Sequence, residues 1–569
     1  MRRPLLILSA VAALGAFSPA TAQAQGQAPG QGLAGAYLAA RAAVMDGNHR
    51  AAAVYFETAL AADPGNAFLI GNAIFANAAL GQWGRAETIA DMIDPAEESS
   101  DMVNLVRMVQ RLAENDLVAA RAAIEAGQGA GLFVDGLALG WIALGEGDMR
   151  RATAAFQEIA RDDGLADIAL THLALARAAV GDFEGADAIF SGDEFGALSV
   201  TERSLRARAE VLVQLDRADD ALELLDFFTN SVPDPGLVAL RERIASQVGT
   251  PPYSFITTAR EGLAEVFYSI AQAMGRDAGS TTLPLLYTRA AHGIDPAHTE
   301  ALILAGQLLS EAQQYALAAD AFAEVPGDDP QYVEAQLGRA DAIFDDGRPD
   351  DAVEVLRALA ADHGGLASVQ AALGDAYRRT DRCADAVTAY TAALDSVDIT
   401  QRRNWFLYFA RGICHEALDD FDASEADFRQ ALVLNPEQPQ VLNNLGYSLV
   451  EQRRNLDEAL SMIERAVEGD PDSGYIVDSL GWVLYRLGRF DEAVAPMERA
   501  VALLPNDPII NDHLGDVYWM VGRRREARFQ WERALSFDPE DTDALRIRRK
   551  LEIGLDAVLV EEGGVGETQ

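Results

Sequence analysis

The feature that most constrains the fold of this chain is a motif that returns after 34 residues near the C-terminus. Its two copies are Leu480-Gly481, Gly488, Ala493 and Pro505, then Leu514-Gly515, Gly522, Ala527 and Pro539. A fixed period of this length indicates similar supersecondary units stacked in series. The chain has 569 residues, more than one hydrophobic core usually supports, which also favours a repeat array.

The residue types in the motif are those of a helical hairpin. Glycine on a first helix and alanine on a second let the two backbones approach closely, large residues fill the space around them, and proline ends the second helix. Looser copies extend back to Gly47. This is the pattern of a tetratricopeptide repeat. The sequence therefore predicts an all-α tetratricopeptide-repeat superhelix, an α-solenoid of about 14 helical hairpins.

Two places interrupt the predicted array. The segment "SQVGTPPYSF" at 246–255 contains Gly249 and two prolines, so we expect an N-terminal superhelix at 33–248 and a C-terminal superhelix at 254–540. After the last hairpin, residues 541–560 are predicted to form a helix that caps the apolar end of the array. Residues 561–569 are predicted to be a disordered tail.

The first 24 residues have the features of a secretory signal peptide. Arg2 and Arg3 precede an apolar run that ends near Phe17, and small residues follow around Ala22 and Ala24. We therefore expect cleavage near residue 22 or 24 and export into a bacterial periplasm. No cysteine lies near the cleavage site, so the sequence predicts no lipid anchor and no direct membrane anchor.

Charge and motif content restrict the function. The net charge is −42, which excludes nucleic acid as a natural partner because phosphate binding requires a basic surface. The seven histidines form no His-x-x-x-His pair, and no phosphate loop or nucleophile elbow is present. The sequence thus predicts no enzyme activity, no cofactor and no metal, and it favours protein partners.

The concave wall of such an array is lined by the first helices, where positions 2, 5, 9 and 12 share one face. In the last three repeats this face combines aromatic, Asn and Asp side chains, which suit an extended peptide that carries Lys, Arg or an N-terminal amine. The alternative is that Trp482 and Trp519 pack between helices. The predicted peptide-binding groove consists of Asn443, Tyr447, Asp478, Trp482, Tyr485, Asp512, Asp516 and Trp519.

Two further surfaces are candidate partner sites. Trp405 and Phe406 belong to a segment with four aromatic residues in five positions, more than one helix face needs for packing. Arg524, Arg525 and Arg548 belong to a basic C-terminal end in a strongly acidic protein. For these arginines the alternative is pairing with acidic residues one helical turn away.

The only two cysteines fall in consecutive repeats. Cys383 lies at the start of a second helix, and Cys414 lies toward the end of the following first helix. In an oxidising compartment a disulfide between these repeats is feasible. The alternative is two separate buried thiols that behave as small hydrophobic side chains.

Beyond the generic repeat, several segments resemble a proteobacterial family of exported tetratricopeptide-repeat proteins. These segments are "LNNLGYSLVEQ", "INDHLGDVYWMVGRRREARFQWERAL", "GLAEVFYSIAQAM" and "NWFLYFARGI". The family includes an outer-membrane lipoprotein that is the adaptor of a periplasmic carboxy-terminal processing protease. The resemblance implies a periplasmic scaffold that binds extended protein segments and presents clients to such a protease. The alternative is an assembly factor for outer-membrane, polysaccharide or pilus machinery.

Overall fold

The structure is a computed structural model that describes residues 32–93, 100–162, 164–229, 235–246, 251–276, 281–398 and 400–562. Within these ranges the regular secondary structure is helical and contains no strand, which confirms the predicted all-α class. The predicted signal peptide at 1–24 lies outside the described residues, as do residues 563–569 of the predicted tail. No helix of the described part has the length and apolar character needed to cross a bilayer.

The described residues divide into two compact units, an N-terminal unit at 32–359 and a C-terminal unit at 360–562. The boundary between the two units falls within helix α19 (Pro349–His363). The helices from the start of the chain to this point are α1 (Leu33–Met45), α2 (His49–Ala62), α3 (Ala67–Ala79), α4 (Trp83–Ala90), α5 (Asp101–Ala113), α6 (Leu117–Glu125), α7 (Leu132–Gly145), α8 (Met149–Ile159), α9 (Ala166–Ala179), α10 (Phe183–Phe190), α11 (Glu202–Gln214), α12 (Ala218–Thr229), α13 (Pro235–Ser246), α14 (Ala259–Arg276), α15 (Thr282–Ile294), α16 (Thr299–Glu311), α17 (Tyr315–Ala323), α18 (Tyr332–Asp345) and α19 (Pro349–His363).

The C-terminal unit continues the same alternation of first and second helices. Its helices are α20 (Ala367–Arg379), α21 (Cys383–Asp395), α22 (Trp405–Ala417), α23 (Phe421–Leu434), α24 (Pro439–Glu451), α25 (Leu456–Gly469), α26 (Gly474–Arg486), α27 (Phe490–Leu503), α28 (Pro508–Met520), α29 (Arg524–Leu535), α30 (Asp541–Ile553) and α31 (Leu555–Glu561). Without α13, α30 and α31, the helices of the described residues form fourteen consecutive pairs.

The predicted domain boundary at 249–253 is wrong. Helices α14 and α15 follow the proline-containing segment, yet they pack back against α3, α5, α7 and α9, which are first helices of the preceding hairpins. The indole Nε1 of Trp83 on α4 donates to the carbonyl oxygen of Arg289 on α15 at 3.0 Å. One hydrophobic core therefore extends from Ala36 to Ala352. Pro251 and Pro252 lie between α13 and α14, and residues of this core lie on both sides of them.

The prediction of a single capping helix also differs from the structure. The segment 541–560 forms two helices, α30 and α31, because Gly554 between them has a φ of 85°. Glu561, predicted to belong to a disordered tail, is the last residue of α31 and pairs with Arg549 at 2.7 Å. Glu562 pairs with Arg546 at 2.8 Å. The cap thus reaches two residues further than the sequence suggests.

The repeated glycine on the first helix has a direct steric cause. A Cβ atom placed on it would lie 2.4–2.7 Å from the side chain sixteen residues later, on the second helix of the same hairpin. The pairs are Gly140 and Phe156, Gly306 and Phe322, Gly374 and Tyr390, Gly412 and Phe428, Gly481 and Met497, and Gly515 and Trp531. Gly446 instead faces Ile463, one residue later, because Asn455 is inserted with a left-handed φ of 47°.

We expect the variant Gly140→Ala to lower the free energy of unfolding by about 1–3 kcal/mol, because its methyl group would overlap the Phe156 ring. Gly71 on α3 is the matched control, since no atom lies within 4 Å of its added Cβ. Gly71→Ala should stabilise the helix by up to about 1 kcal/mol. Urea unfolding of both variants measures the difference, and equal stabilities would contradict the steric explanation.

Candidate functional site

The candidate site is the face formed by the first helices of the C-terminal unit. Helices α24, α26 and α28 lie side by side and contact one another directly, as do α20 and α22. Their starts are fixed by local chemistry: Pro439 and Pro508 occupy the first helical position of α24 and α28. The Asp507 side chain accepts a hydrogen bond from the backbone N–H of Ile510. All eight residues of the predicted groove lie on these three helices.

Two of the predicted groove carboxylates are buried and already bound. Asp512 is 9% exposed and Asp516 is 0% exposed. The Nζ atom of Lys550 on α30 donates to both, at 2.7–2.8 Å from Asp512 oxygens and 2.6–2.8 Å from Asp516 oxygens. The prediction that these carboxylates are open to a partner is therefore wrong, because the capping helix supplies the cation that was assigned to a ligand.

The Asp478 side chain is also buried. Its carboxylate lies 2.9 Å from the Nδ1 atom of His513 on α28, and its side chain is buried. Burial lowers the pKa of His513, but the charge and hydrogen bond of Asp478 outweigh it, so the pKa is raised overall. The third predicted groove carboxylate is therefore paired with a histidine inside the protein, and its expected exposure is also wrong.

The aromatic residues of the predicted groove pack between helices, as the alternative interpretation stated. Trp482 is stacked between Tyr485 and His513, with ring centroids 4.8 Å and 4.0 Å away. Its Nε1 donates to Glu451 at 2.9 Å. Tyr485 is half-buried beside it. Trp519 is half-buried as well, and its Nε1 donates to Asp556 on α31 at 3.0 Å.

Asn443 and Tyr447 on α24 are the predicted groove residues furthest from the cap. Both are half-buried. The carboxamide oxygen of Asn443 is buried and accepts no hydrogen bond within the described part of the chain.

The structure also shows an exposed row of residues that does not belong to the predicted groove. The row consists of position 2 of four consecutive first helices: Phe406, Gln440, Tyr475 and Ile509. Phe406, Tyr475 and Ile509 are 42%, 38% and 37% exposed. We call these four residues the position-2 row. The repeat period places position 2 on the predicted concave face, but it does not show that these side chains stay exposed while those at positions 5 and 9 are buried or half-buried.

Only some residues of the other two predicted partner surfaces are exposed and unpaired in the described part of the chain. Trp405 is half-buried, and its ring lies at a tilt against that of Phe409 with the centroids 5.9 Å apart, so only Phe406 of the aromatic segment is substantially exposed. Arg524 lies over the Trp519 ring and 3.8 Å from Asp556. Arg525 and Arg548 are exposed and form no ion pair within the described residues.

Cys383 and Cys414 are brought together, with their Sγ atoms 2.8 Å apart, and both are buried as free thiols. In the ranges that the structure describes, no group of three His, Cys, Asp or Glu side chains is arranged to hold a metal ion. The chemistry of this face is therefore that of packing, hydrogen bonding and charge.

Comparison with known proteins agrees with the repeat pattern. Residues 295–366, 371–439 and 443–508 match a family model described as a tetratricopeptide repeat. A TPR repeat-containing protein of Pseudomonas aeruginosa is 30% identical over 187 residues, a match that covers 32% of this chain and 30% of that protein.

Solved structures that match this chain have low sequence identity and low TM-scores. A chain in the crystal structure of the APC/C hetero-tetramer Cut9–Hcn1 is 15% identical, with a TM-score of 0.39, over 91% of this chain and 96% of that one. A tetratricopeptide repeat protein from Parabacteroides merdae is 14% identical, with a TM-score of 0.37, over 45% of this chain and 98% of that one. Residues 295–366, 371–439 and 443–508 therefore carry tetratricopeptide repeats, and the described part of the chain is an all-α array of helical hairpins.

Proposed function

We propose that this protein is a periplasmic scaffold whose C-terminal unit binds extended protein segments along the position-2 row and presents them to an envelope processing protease. The observation that carries the binding role is this row of exposed side chains at one repeat position. Tetratricopeptide repeats form protein–protein interaction scaffolds, and that general role agrees with the family assignment.

The spacing of the row suits an extended chain. Packed helices lie about 8–10 Å apart, and an extended chain rises about 3.3 Å per residue. Neighbouring positions of the row therefore correspond to side chains about three residues apart in the bound segment. The large side chains of Phe406, Tyr475 and Ile509 would bury apolar side chains of the partner.

The negative charge of the protein favours client segments of a particular charge. The chain has a net charge of −42, and Asp472, two residues before α26, has a side chain that is 90% exposed. Such a surface attracts Lys and Arg and repels acidic segments. The preferred client is therefore an extended segment that combines basic and apolar residues.

The triple variant Phe406→Ser, Tyr475→Ser and Ile509→Ser is expected to weaken segment binding by about 100-fold, because it removes three apolar contacts of about 1 kcal/mol each. Affinity would be measured on an array of overlapping peptides from exported envelope proteins, where basic and apolar peptides should bind most tightly. Val433→Ser on α23 is the control, since Val433 is 71% exposed and lies on a second helix. Equal losses of peptide affinity in the triple variant and in the Val433→Ser variant would contradict the proposal. A preference of the wild type for acidic peptides would also contradict it.

The protease-adaptor role rests on the family resemblance and the signal-peptide features. Its test is affinity capture from envelope extracts with the wild type and the triple variant side by side. Recovery of a processing protease together with its substrates by the wild type, and loss of the substrates in the variant, would support it. Recovery of secretion, polysaccharide or pilus subunits instead would support the assembly-factor alternative.

A further inference from the structure

The two cysteines of the chain lie at one contact between consecutive repeats. Cys383 is the first residue of α21, and Cys414 lies near the end of α22, 31 positions later in the sequence. The 2.8 Å between their Sγ atoms falls between a covalent S–S bond of about 2.05 Å and an ordinary non-bonded contact of two sulfurs. No other cysteine exists in the chain to compete for either one.

The two thiols differ in accessibility and in reactivity. Cys383 keeps 8% of its surface exposed, whereas Cys414 has none. A hydrogen bond with Cys414 lowers the pKa of the Cys383 thiol, and the charge of Arg378 adds to this effect. The thiolate is the nucleophile in thiol–disulfide exchange. Cys383 is therefore placed to react first with a disulfide oxidant, and Cys414 to resolve the product.

We propose that Cys383 and Cys414 are an oxidation site that forms an intramolecular disulfide between the hairpins α20–α21 and α22–α23. The Cys383 thiolate attacks a disulfide oxidant, forms a mixed disulfide and releases one thiol of the oxidant. The Cys414 sulfur then attacks Cys383, which forms the Sγ–Sγ bond and releases the second oxidant thiol. The two cysteines lose two protons and two electrons in total, and the oxidant disulfide becomes two thiols.

This inference depends on the contact of α21 with α22 and is independent of the proposed client binding. The disulfide would close a segment of the chain across a junction between repeats. Cross-links of this kind restrict the unfolded chain and so stabilise the folded unit. Its formation needs no large movement, because the sulfur atoms already touch.

The experiment incubates the reduced full-length protein with oxidised glutathione, quenches it in acid, denatures it and alkylates the free thiols with a maleimide. We expect two alkylated thiols per chain before oxidation and none afterwards, with two molecules of reduced glutathione released per chain. A tryptic cross-link between the peptides of Cys383 and Cys414 identifies the bond. Two thiols that remain alkylatable, or disulfide-linked dimers in place of the internal bond, would overturn the proposal.

The variants Cys414→Ser and Cys383→Ser assign the two roles. Cys414→Ser should retain one glutathione on Cys383, because the resolving thiol is absent. Cys383→Ser should react much more slowly, because Cys414 is fully buried. Equal rates of glutathione addition to the two variants would contradict the proposed order of attack. Reduced and oxidised wild type should also differ in melting temperature, with the oxidised protein higher.

Discussion

Replacing Lys550 with methionine is expected to lower the free energy of unfolding of the C-terminal unit by about 3–5 kcal/mol. The substitution keeps the length of the side chain but removes the ammonium group that donates to Asp512 and Asp516. Two carboxylates would then remain buried, with Arg546 3.5 Å from Asp516 and 3.7 Å from Asp512 and with the Trp531 indole N–H donating to Asp516 at 2.9 Å. Urea unfolding measures the loss, and hydrogen exchange should locate it in α28 and α30.

The variant Arg548→Met is the matched control for Lys550→Met. It removes the same charge from the same helix, but Arg548 is exposed and forms no ion pair within the described residues. Its effect should stay within about 0.5 kcal/mol. If both variants lose similar amounts of stability, net charge rather than the buried contact would explain the effect.

Protonation linked to His172 is expected to lower the stability of the N-terminal unit by about 2–3 kcal/mol as the pH falls from 6.5 to 4.5. His172 on α9 is fully buried between Trp141, which donates to its Nδ1 at 3.0 Å, and Ser269, 3.0 Å from its Nε2. Burial lowers its pKa to about 4, an effect that Arg203 reinforces and Glu265 opposes. The folded unit therefore keeps His172 neutral, while the unfolded chain binds a proton near pH 6.5.

The difference between the folded and unfolded pKa of His172 determines the direction in which stability changes with pH. Stability is fully present above the unfolded pKa of about 6.5 and declines as protons are taken up by the unfolded chain. The pKa of Glu265 and that of Glu300 are lowered by Arg203, despite the opposing effect of burial, so these groups reduce stability only below about pH 4.5. Burial also lowers the pKa of His49 on α2 and of His292 on α15, so these histidines add to the loss in the same range, and a variant of His172 is needed to separate its part.

The variant His172→Gln tests this assignment. Its carboxamide oxygen can still accept from the Trp141 indole, but it does not titrate. The variant should be less stable than the wild type at pH 7, and the difference between them should shrink toward pH 4.5. Urea unfolding at a series of pH values gives both quantities. Parallel pH profiles of the two proteins would show that another group is responsible.

The repeat period was sufficient to predict the helical hairpins, because each motif position reports a local steric requirement. Gly481 and Gly515 are needed where Met497 and Trp531 approach the helix backbone. Gly488 and Gly522 occupy turns with φ of 73° and 81°. Such requirements depend on residues within one hairpin, so the sequence expresses them directly.

The exposure of the groove carboxylates could not be predicted in the same way. Periodicity places Asp512 and Asp516 on a shared face, but it does not show what covers that face. Lys550 reaches them from 34 and 38 residues away in the sequence, through the packing of α30 on the last hairpin. The domain boundary failed for a related reason, since the return of α14 and α15 onto earlier helices depends on long-range packing.

The burial of Lys550 also determines which chemistry can probe this protein. It is the single lysine of the chain, and it is 0% exposed in the folded state. Amine-directed cross-linkers, biotinylation reagents and acylating agents therefore have no accessible side chain to modify on the native protein. Carbodiimide coupling of the many surface carboxylates, or photoreactive groups placed at Tyr475, would capture a bound client that amine chemistry would miss.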